Sequence, residues 1–181
     1  MKKGYQNIHQ HLIEACKRGE RKAQFEVYKL YAKAMYNVAF RILKNSVETE
    51  DIIQESFLKA FQKLNSFSGD VSFGAWLKKI VINASLDELR RKKLEFENID
   101  DANFIDPEDD TYEEKPSEYD LKKVKEAILL LSDGYRIVLS LYLLEGYDHD
   151  EIAEIVGVSA STSRSQLARA KKKLLEIIKK V

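Results

Sequence analysis

The chain has 181 residues, 44% hydrophobic and 33% charged, and its 30 basic and 30 acidic side chains give a formal net charge of zero. No apolar run approaches the roughly 18 residues of a membrane span, and the first ten residues lack the apolar core of a signal peptide. Cys16 is the only cysteine, which excludes an intramolecular disulfide and a cysteine-based zinc knuckle. These features predict a cytoplasmic protein.

The charges are distributed unevenly along the chain. Residues 1–94 carry 18 basic and 10 acidic side chains, a net charge of +8. Residues 121–181 carry 11 basic and 8 acidic side chains, a net charge of +3. Residues 95–120 carry 12 acidic side chains against one lysine, a net charge of −11, and contain both prolines. Such a segment predicts an acidic flexible linker. We therefore expect an all-α protein with two small helical domains, 1–94 and 121–181.

Three helices are predicted in the first domain from apolar residues at helical spacing. The first has a stripe formed by Phe25, Tyr28, Ala32, Met35, Ala39 and Ile42. The second begins with a cap at Asn45 and Glu48, and its stripe is formed by Ile53, Phe57, Phe61 and Leu64. The third begins near Ser72, and its apolar face is formed by Phe73, Trp76, Leu77, Ile80, Val81 and Ala84.

The second helix begins with acidic side chains in an otherwise basic domain. Glu50, Asp51, Gln54 and Glu55 cluster on its first half. A helix dipole accounts for acidic residues in a first turn, but this cluster extends further. DNA would repel it, so we expect a basic protein surface as its partner.

The third predicted helix has a polar stripe opposite its apolar face. Lys79, Asn83, Asp87 and Arg90 recur at helical spacing, and Phe67 lies in the polar loop before the helix. An aromatic ring beside a basic face suits unstacked bases. The alternative is a solvated helix face with Phe67 filling the edge of the core.

The second domain begins with two predicted helices and ends with a helix pair. The first two follow apolar residues at helical spacing, namely Leu121, Val124, Ile128 and Leu131, then Tyr135, Val138, Leu139 and Tyr142. In the pair, Asp148 and Glu151 form a capping-box pattern, Gly157 predicts a sharp turn, and Ser159 predicts a second cap. Helix, turn and helix in this order are typical of a helix-turn-helix.

The last predicted helix has two distinct sides. Its core side is formed by Ser163, Leu167, Ala170, Leu174 and Ile177. Its other side is basic and hydroxyl-rich and is formed by Ser161, Arg164, Ser165, Ala168, Arg169 and Lys172. This sidedness favours DNA binding over an ordinary helical hairpin with a solvated basic face.

The sequence gives no sign of catalysis or of a cofactor. His9, His11 and Cys16 lack a fourth metal ligand, and His149 is expected at the surface near the start of a helix. No nucleophile–base pair or glycine-rich phosphate loop is present. We therefore predict that the chain is not an enzyme and binds no metal.

Three segments together resemble the extracytoplasmic-function group of bacterial sigma-70-type sigma factors: residues 51–61, 66–91 and 145–171. The resemblance implies sigma domain two near residues 20–94 and sigma domain four at 121–181. It implies a monomer, when free, that brings core RNA polymerase to promoter DNA. An anti-sigma factor is a further implied partner, and whether it is membrane-anchored stays open.

The resemblance also implies roles at matching positions. Asp51, Gln54 and Glu55 match the surface that binds the clamp helices of the largest polymerase subunit. The melted minus-ten element is matched to Phe67, Lys79, Asn83 and Arg90. The duplex minus-thirty-five element is matched to Ser161, Arg164, Ser165, Gln166 and Arg169.

Two positions depart from the family pattern. Ser163 stands where the family commonly has Val, and its hydroxyl can return to the carbonyl of Ser159. Gln166 stands where Arg is frequent, which puts one DNA contact in doubt.

Two rival functions remain, a stand-alone helix-turn-helix regulator and an adaptor that binds only proteins. The acidic cluster counts against the first, and the retained arginines count against the second.

Overall fold

A computed structural model describes residues 8–97 and 121–180, and within these ranges it is helical without any strand. The prediction of an all-α fold is therefore confirmed. The helices are α1 (Gln10–Lys17), α2 (Arg21–Leu43), α3 (Ser46–Gln62), α4 (Phe73–Glu97), α5 (Leu121–Leu130), α6 (Asp133–Leu143), α7 (His149–Val156) and α8 (Ala160–Ile178), with a short 3-10 helix at Leu64–Ser66. None of the helices in these two ranges is long and apolar enough to cross a bilayer.

The chain divides into two compact units, Met1–Leu89 and Arg90–Val181. Helix α4 continues to Glu97, three residues into the predicted linker at 95–120. The rest of that linker lies outside the described residues.

The first unit is built on the packing of α2 against α3, with α1 packed across α2 and the 3-10 helix. Helix α1, which is not among the predicted helices, buries Ile13, Ala15 and Cys16. The rest of the core of the first unit consists of apolar side chains from the other helices, chiefly Val27, Met35, Ala39, Ile53, Phe57, Ala60, Leu64, Phe73, Leu77 and Val81. Burial of one face of each helix is the main stabilising contribution in a unit of this size.

The connection between α2 and α3 is short and well capped. Lys44 ends α2 in a left-handed conformation with φ of 59°. Asn45 then caps α3, because its Oδ1 accepts from the Glu48 N–H at 3.2 Å and its Nδ2 donates to the Glu48 carboxylate at 2.9 Å. The cap predicted at these two residues is thus confirmed.

The predicted apolar stripe of α2 is wrong at its beginning. Phe25 is 60% exposed, and Tyr28 is also exposed. The buried stripe passes instead through Ala23 and Val27 before it reaches Met35. The exposed rings still make contacts, since the Lys29 ammonium lies 4.9 Å from the Phe25 ring centroid and Tyr28 meets Phe57 edge-to-face at 4.8 Å.

In the second unit, α8 is the central element and packs against α5, α6 and α7. The core consists of Ala127, Ile128, Leu131, Ile137, Val138, Leu139, Leu141, Ile152, Leu167, Ala170 and Ile178. Arg136 is buried among them, where its guanidinium donates to the Leu131 carbonyl at 2.8 Å and to Asp133 Oδ1 at 2.6 Å. These bonds satisfy the buried charge and tie the end of α5 to the first turn of α6.

The turn between α7 and α8 has the chemistry that the sequence predicts. Asp148 Oδ1 accepts from the N–H groups of Asp150 and Glu151 at 2.9 and 2.8 Å, and the Glu151 carboxylate accepts from the Asp148 N–H at 2.9 Å. Gly157 ends α7 with φ of 82°, which suits a residue without a side chain. Ser159 Oγ then accepts from the Thr162 N–H at 3.0 Å. The capping box, the glycine stop and the second cap are all confirmed.

Candidate functional site

The first candidate surface is the exposed face of α8, which we call the α8 basic face. It consists of Ser161, Arg164, Ser165, Ala168, Arg169 and Lys172, all of them exposed. At about 100° per residue, these positions lie opposite the buried Ser163, Leu167 and Ala170. The face therefore presents cations and hydroxyls to solvent while the opposite side holds the helix in place.

Hydroxyl groups cluster at the beginning of α8. Ser159 Oγ lies 2.9 Å from Ser161 Oγ and 2.8 Å from Thr162 Oγ1, and Ser165 Oγ donates to the Thr162 carbonyl at 3.0 Å. Together with the positive end of the helix dipole, this cluster suits an anionic group such as a DNA phosphate.

Gln166 does not belong to the α8 basic face. It lies roughly 130° around the helix from the centre of that face, by the helical period. Its side chain is half-buried and turned toward the first turn of α6, where its Nε2 is 3.9 Å from the place of a β-carbon on Gly134. Its Oε1 is buried without a hydrogen-bond partner. A DNA contact of Gln166 stays a prediction, and this placement does not support it.

The second candidate surface is the polar stripe of α4. Lys79, Asn83, Asp87 and Arg90 are all exposed, as the sequence predicts. The opposite side of α4 is buried through Phe73, Leu77, Val81 and Ser85. Ser72 fixes the beginning of the helix, because its Oγ accepts from the Ala75 N–H at 3.1 Å.

The aromatic ring of the loop before α4 is buried. Phe67 is only 6% exposed, and its ring meets Phe73 at 5.8 Å and Trp76 at 5.3 Å between centroids. Of the two interpretations that the sequence leaves open for Phe67, the one in which its ring fills the edge of the core describes its position. The exposed part of the loop consists of Ser68, Asp70 and Val71, with Ser68 Oγ donating to Asp70 Oδ2 at 2.8 Å.

The third candidate surface is the acidic cluster of α3. Glu50, Asp51, Gln54 and Glu55 are all exposed, as the sequence predicts. A groove of about 360 Å³ lies beside it between α2 and α3. The groove is lined by Tyr28, Ala32, Lys33, Tyr36, Glu50, Ile53 and Gln54. The cluster therefore combines negative charge with accessible aromatic surface.

His149 has contacts that the sequence analysis missed. Its Nδ1 lies 2.9 Å from Ser163 Oγ, and its ring stacks on Tyr142 with centroids 4.7 Å apart and planes inclined by 23°. His149 is the first residue of α7, at the start of a helix as predicted, and its ring is half-buried rather than fully exposed. The Ser163 hydroxyl bonds to this ring rather than to the Ser159 carbonyl. A serine on the core side of a helix was the available signal, since most buried hydroxyls have a hydrogen-bond partner.

The residues first considered for a metal site are not gathered into one. In residues 8–97 and 121–180, no three or more His, Cys, Asp or Glu side chains are placed to hold an ion. His9 instead meets Tyr31 edge-to-face at 6.3 Å between ring centroids.

Comparison with known families assigns both units. Residues 27–95 match the model of sigma-70 region 2, and residues 121–174 match the model of sigma-70 region 4. The chain is 27% identical over 172 residues to the ECF RNA polymerase sigma factor SigW of Bacillus subtilis, covering 90% of this chain and 92% of SigW. It is 28% identical over 172 residues to the RNA polymerase sigma-H factor of Pseudomonas aeruginosa, covering 90% and 89%.

Two solved structures share the fold. The sigma factor RpoE from Bartonella quintana, in complex with the anti-sigma factor NepR, matches with a TM-score of 0.59 and 27% identity, over 85% of this chain and 95% of RpoE. CnrH, in complex with the cytosolic domain of CnrY, matches with a TM-score of 0.56 and 21% identity, over 94% and 96%.

The buried position of Phe67 leads to a stability prediction. Replacement of Phe67 by Ala should lower the free energy of unfolding by about 3 kcal/mol, because a buried aromatic ring is lost from the core. Urea unfolding measures the change. Val71→Ala, at an exposed position in the same loop, is the matched control and should change stability by less than about 0.5 kcal/mol. Equal stability of the two variants would mean that the Phe67 ring is exposed to solvent rather than packed in the core.

Proposed function

Since the chain belongs to the extracytoplasmic-function group of the sigma-70 family, we propose that its three candidate surfaces divide the work of promoter recognition. As a sigma factor, it directs core RNA polymerase to promoters and starts transcription there. The α8 basic face reads the duplex minus-thirty-five element, and the α4 polar stripe holds the melted minus-ten element. The acidic cluster of α3 binds the polymerase, which itself carries out nucleotide addition.

The assignment of α8 rests on its shape and charge. An exposed helix fits the major groove of B-DNA, and Arg side chains make bidentate hydrogen bonds to guanine. Arg164 and Arg169 lie on the α8 basic face, and Ser161 and Ser165 stand near them with hydroxyls suited to phosphate or base contacts. Gln166 is left out because its side chain is directed at α6.

The assignment of α4 rests on its exposed polar stripe and the loop before it. Asn83 offers both a donor and an acceptor to the edge of an unpaired base, while Lys79 and Arg90 neutralise phosphates. Phe67 takes a different role from the one that the resemblance implies. Its buried ring anchors the loop to α4, so the exposed Ser68 and Asp70 are held beside the helix.

The assignment of α3 rests on charge and on the neighbouring groove. Asp51, Gln54 and Glu55 form an exposed patch that repels DNA but attracts a basic protein surface. The aromatic groove between α2 and α3 adds apolar area for the same partner, since Tyr28 and Tyr36 line it. An aromatic centre with a polar rim is typical of protein interfaces.

The match to sigma-70 region 2 is the observation that carries this function. A stand-alone helix-turn-helix regulator would account for residues 121–174 but leave residues 27–95 without a role. Run-off transcription by core polymerase, with and without the protein, tests the proposal directly. Promoter-specific transcripts are expected only when the protein is present, whereas a stand-alone regulator gives no such dependence.

An anti-sigma factor is a further proposed partner. The support is the similarity to RpoE, which was solved in complex with the anti-sigma factor NepR. A membrane-anchored form of this partner stays a prediction. Co-purification of the chain from its host, followed by identification of bound proteins, tests both points.

Arg164 and Arg169 should supply most of the affinity for the minus-thirty-five element. Each arginine contributes roughly 1–3 kcal/mol of base discrimination, so Ala at both positions should weaken promoter binding by the holoenzyme at least about tenfold. Electrophoretic mobility shift measures binding to duplex promoter DNA. Lys179→Ala with Lys180→Ala, at the other end of the same helical region, controls for the loss of two positive charges. Wild-type affinity of the double variant would contradict the assignment.

Asn83 should act at promoter melting rather than at duplex binding. The holoenzyme with Asn83→Ala is expected to bind duplex promoter almost normally and to open it poorly, as permanganate reactivity of unpaired thymines would report. A pre-melted bubble template should restore much of the activity, since unstacking costs a few kcal/mol that this template already supplies.

Asn37→Ala, at an exposed asparagine on α2, is the matched control for this variant. An equal defect of Asn83→Ala on bubble and duplex templates would place Asn83 outside the melting step.

Charge reversal in the acidic cluster should separate polymerase binding from folding. Asp51→Arg together with Glu55→Arg should abolish co-purification with core polymerase, because like charges then face a basic surface. Circular dichroism should show an unchanged helix content. Glu14→Arg with Glu20→Arg makes the same change of net charge elsewhere in the unit and should leave binding intact. Retained polymerase binding by the Asp51 and Glu55 variant would end the proposal.

A further inference from the structure

The buried side of α8 contains a hydroxyl group, that of Ser163, among the apolar side chains of Leu167 and Ala170. Ser163 has no exposed surface, and its Oγ lies 2.9 Å from Nδ1 of His149. One of these two atoms donates and the other accepts, depending on the tautomer of the ring. An arrangement of α7 and α8 that breaks this bond leaves a buried hydroxyl without a partner and is therefore less stable. The bond thus favours the arrangement in which the two groups meet.

His149 is itself held from two sides. It is the first residue of α7, directly after the Asp148 cap that fixes the beginning of this helix. Its ring stacks on Tyr142 of α6, and the Lys171 ammonium of α8 lies 5.8 Å from the centroid of the Tyr142 ring. The imidazole of α7 therefore contacts both α6, through Tyr142, and α8, through Ser163.

We propose that His149 is a positioning residue for DNA reading, whose hydrogen bond to Ser163 fixes the rotation of α8 about its own axis. Arg164 directly follows Ser163 and diverges from it by about 100° around the helix. A fixed direction for the Ser163 hydroxyl therefore fixes the direction from which Arg164 leaves the helix. This inference rests on the proposed role of the α8 basic face in reading the minus-thirty-five element.

A hydrogen bond serves this purpose better than apolar packing alone. Apolar contacts have little directional preference, and a helix can turn slightly on them while the buried area stays almost constant. A hydrogen bond weakens steeply when its angle departs from linearity. Bidentate recognition of a base by Arg164 requires two aligned N–H groups, so a small rotation of α8 would reduce discrimination more than general affinity.

The test compares two variants that have the same shape. Ser163→Thr retains a hydroxyl and Ser163→Val replaces it with a methyl group, so any extra crowding is equal in both. His149→Phe keeps the stack on Tyr142 and removes the ring nitrogen. The holoenzyme is measured on a duplex that the wild type selects from a pool randomised over the minus-thirty-five position. The readout is the ratio of two holoenzyme affinities, that for the selected duplex divided by that for the same duplex with the minus-thirty-five bases scrambled.

We expect Ser163→Val and His149→Phe each to lower this ratio by about tenfold, and Ser163→Thr to stay within about twofold of the wild type. The double variant Ser163→Val with His149→Phe should be no worse than either single variant, because both remove the same bond. Thr and Val at Ser140, a buried serine of α6 whose hydroxyl has no hydrogen-bond partner, should give equal ratios. Thermal unfolding checks that each variant is folded, and His149→Phe remains informative if the Ser163 variants are not.

Equal ratios for Ser163→Thr and Ser163→Val, or additive losses in the double variant, would overturn the inference. Arg164→Ala is included to separate this result from a failure of the proposed function. A low ratio for Arg164→Ala beside unchanged ratios for the His149 and Ser163 variants would remove only the positioning role. An unchanged ratio for Arg164→Ala would remove the role of the α8 basic face itself.

Discussion

The turn between α7 and α8 sets the direction of α8 and therefore the position of the α8 basic face in the second unit. The Asp148 carboxylate and the Ser159 hydroxyl accept from N–H groups in the first turns of the two helices, and Gly157 reverses the chain in a left-handed conformation between them. A residue with a β-carbon at Gly157 would be strained there, and loss of either cap would cost roughly 0.5–2 kcal/mol of stability. Because α8 packs against α5, α6 and α7, its direction in turn fixes the other helices of the unit.

The proposed contact residues are almost all separate from the core. In α8 the cations lie opposite Leu167 and Ala170, and in α4 the polar stripe lies opposite Leu77 and Val81. Exposed polar side chains contribute little to the free energy of folding. A protein built in this way can change the bases that it reads without losing its fold. Phe67 is the exception, since its ring belongs to the core while its loop borders the proposed minus-ten surface.

Most of the fold could be predicted from the sequence because its signals are local. The capping box at Asp148 and Glu151, the cap at Asn45 and the stop at Gly157 each depend on residues within a few positions of one another. Helix α1 was missed because eight residues provide only two turns of apolar periodicity and no side-chain cap precedes them at His9, whereas the equally short α7 has the capping box at Asp148. Phe25 and Tyr28 were placed in the core because large aromatic residues are usually buried. The smaller Ala23 and Val27 fill that position in α2 instead.

The site was predicted well where it depends on helical period and poorly where it depends on tertiary contacts. Exposure of Arg164, Arg169 and Asn83 follows directly from the 3.6-residue repeat. The inward direction of Gln166 depends on the approach of α6, and the contact between His149 and Ser163 joins residues fourteen positions apart. No local pattern contains such information, although a serine among apolar core positions is a reason to look for a partner, since most buried hydroxyls have one.

Burial of Cys16 in α1 has a practical consequence for solution experiments. Removal from water raises the pKa of the Cys16 thiol, and the nearby negative charge of Glu20 raises it further. The thiolate is the species that reacts with maleimides and with peroxide, so this side chain is protected both by position and by protonation. Because the chain has no other cysteine, one introduced at an exposed position would take up a fluorophore selectively. Distances between labelled sites could then be followed without first replacing the native thiol.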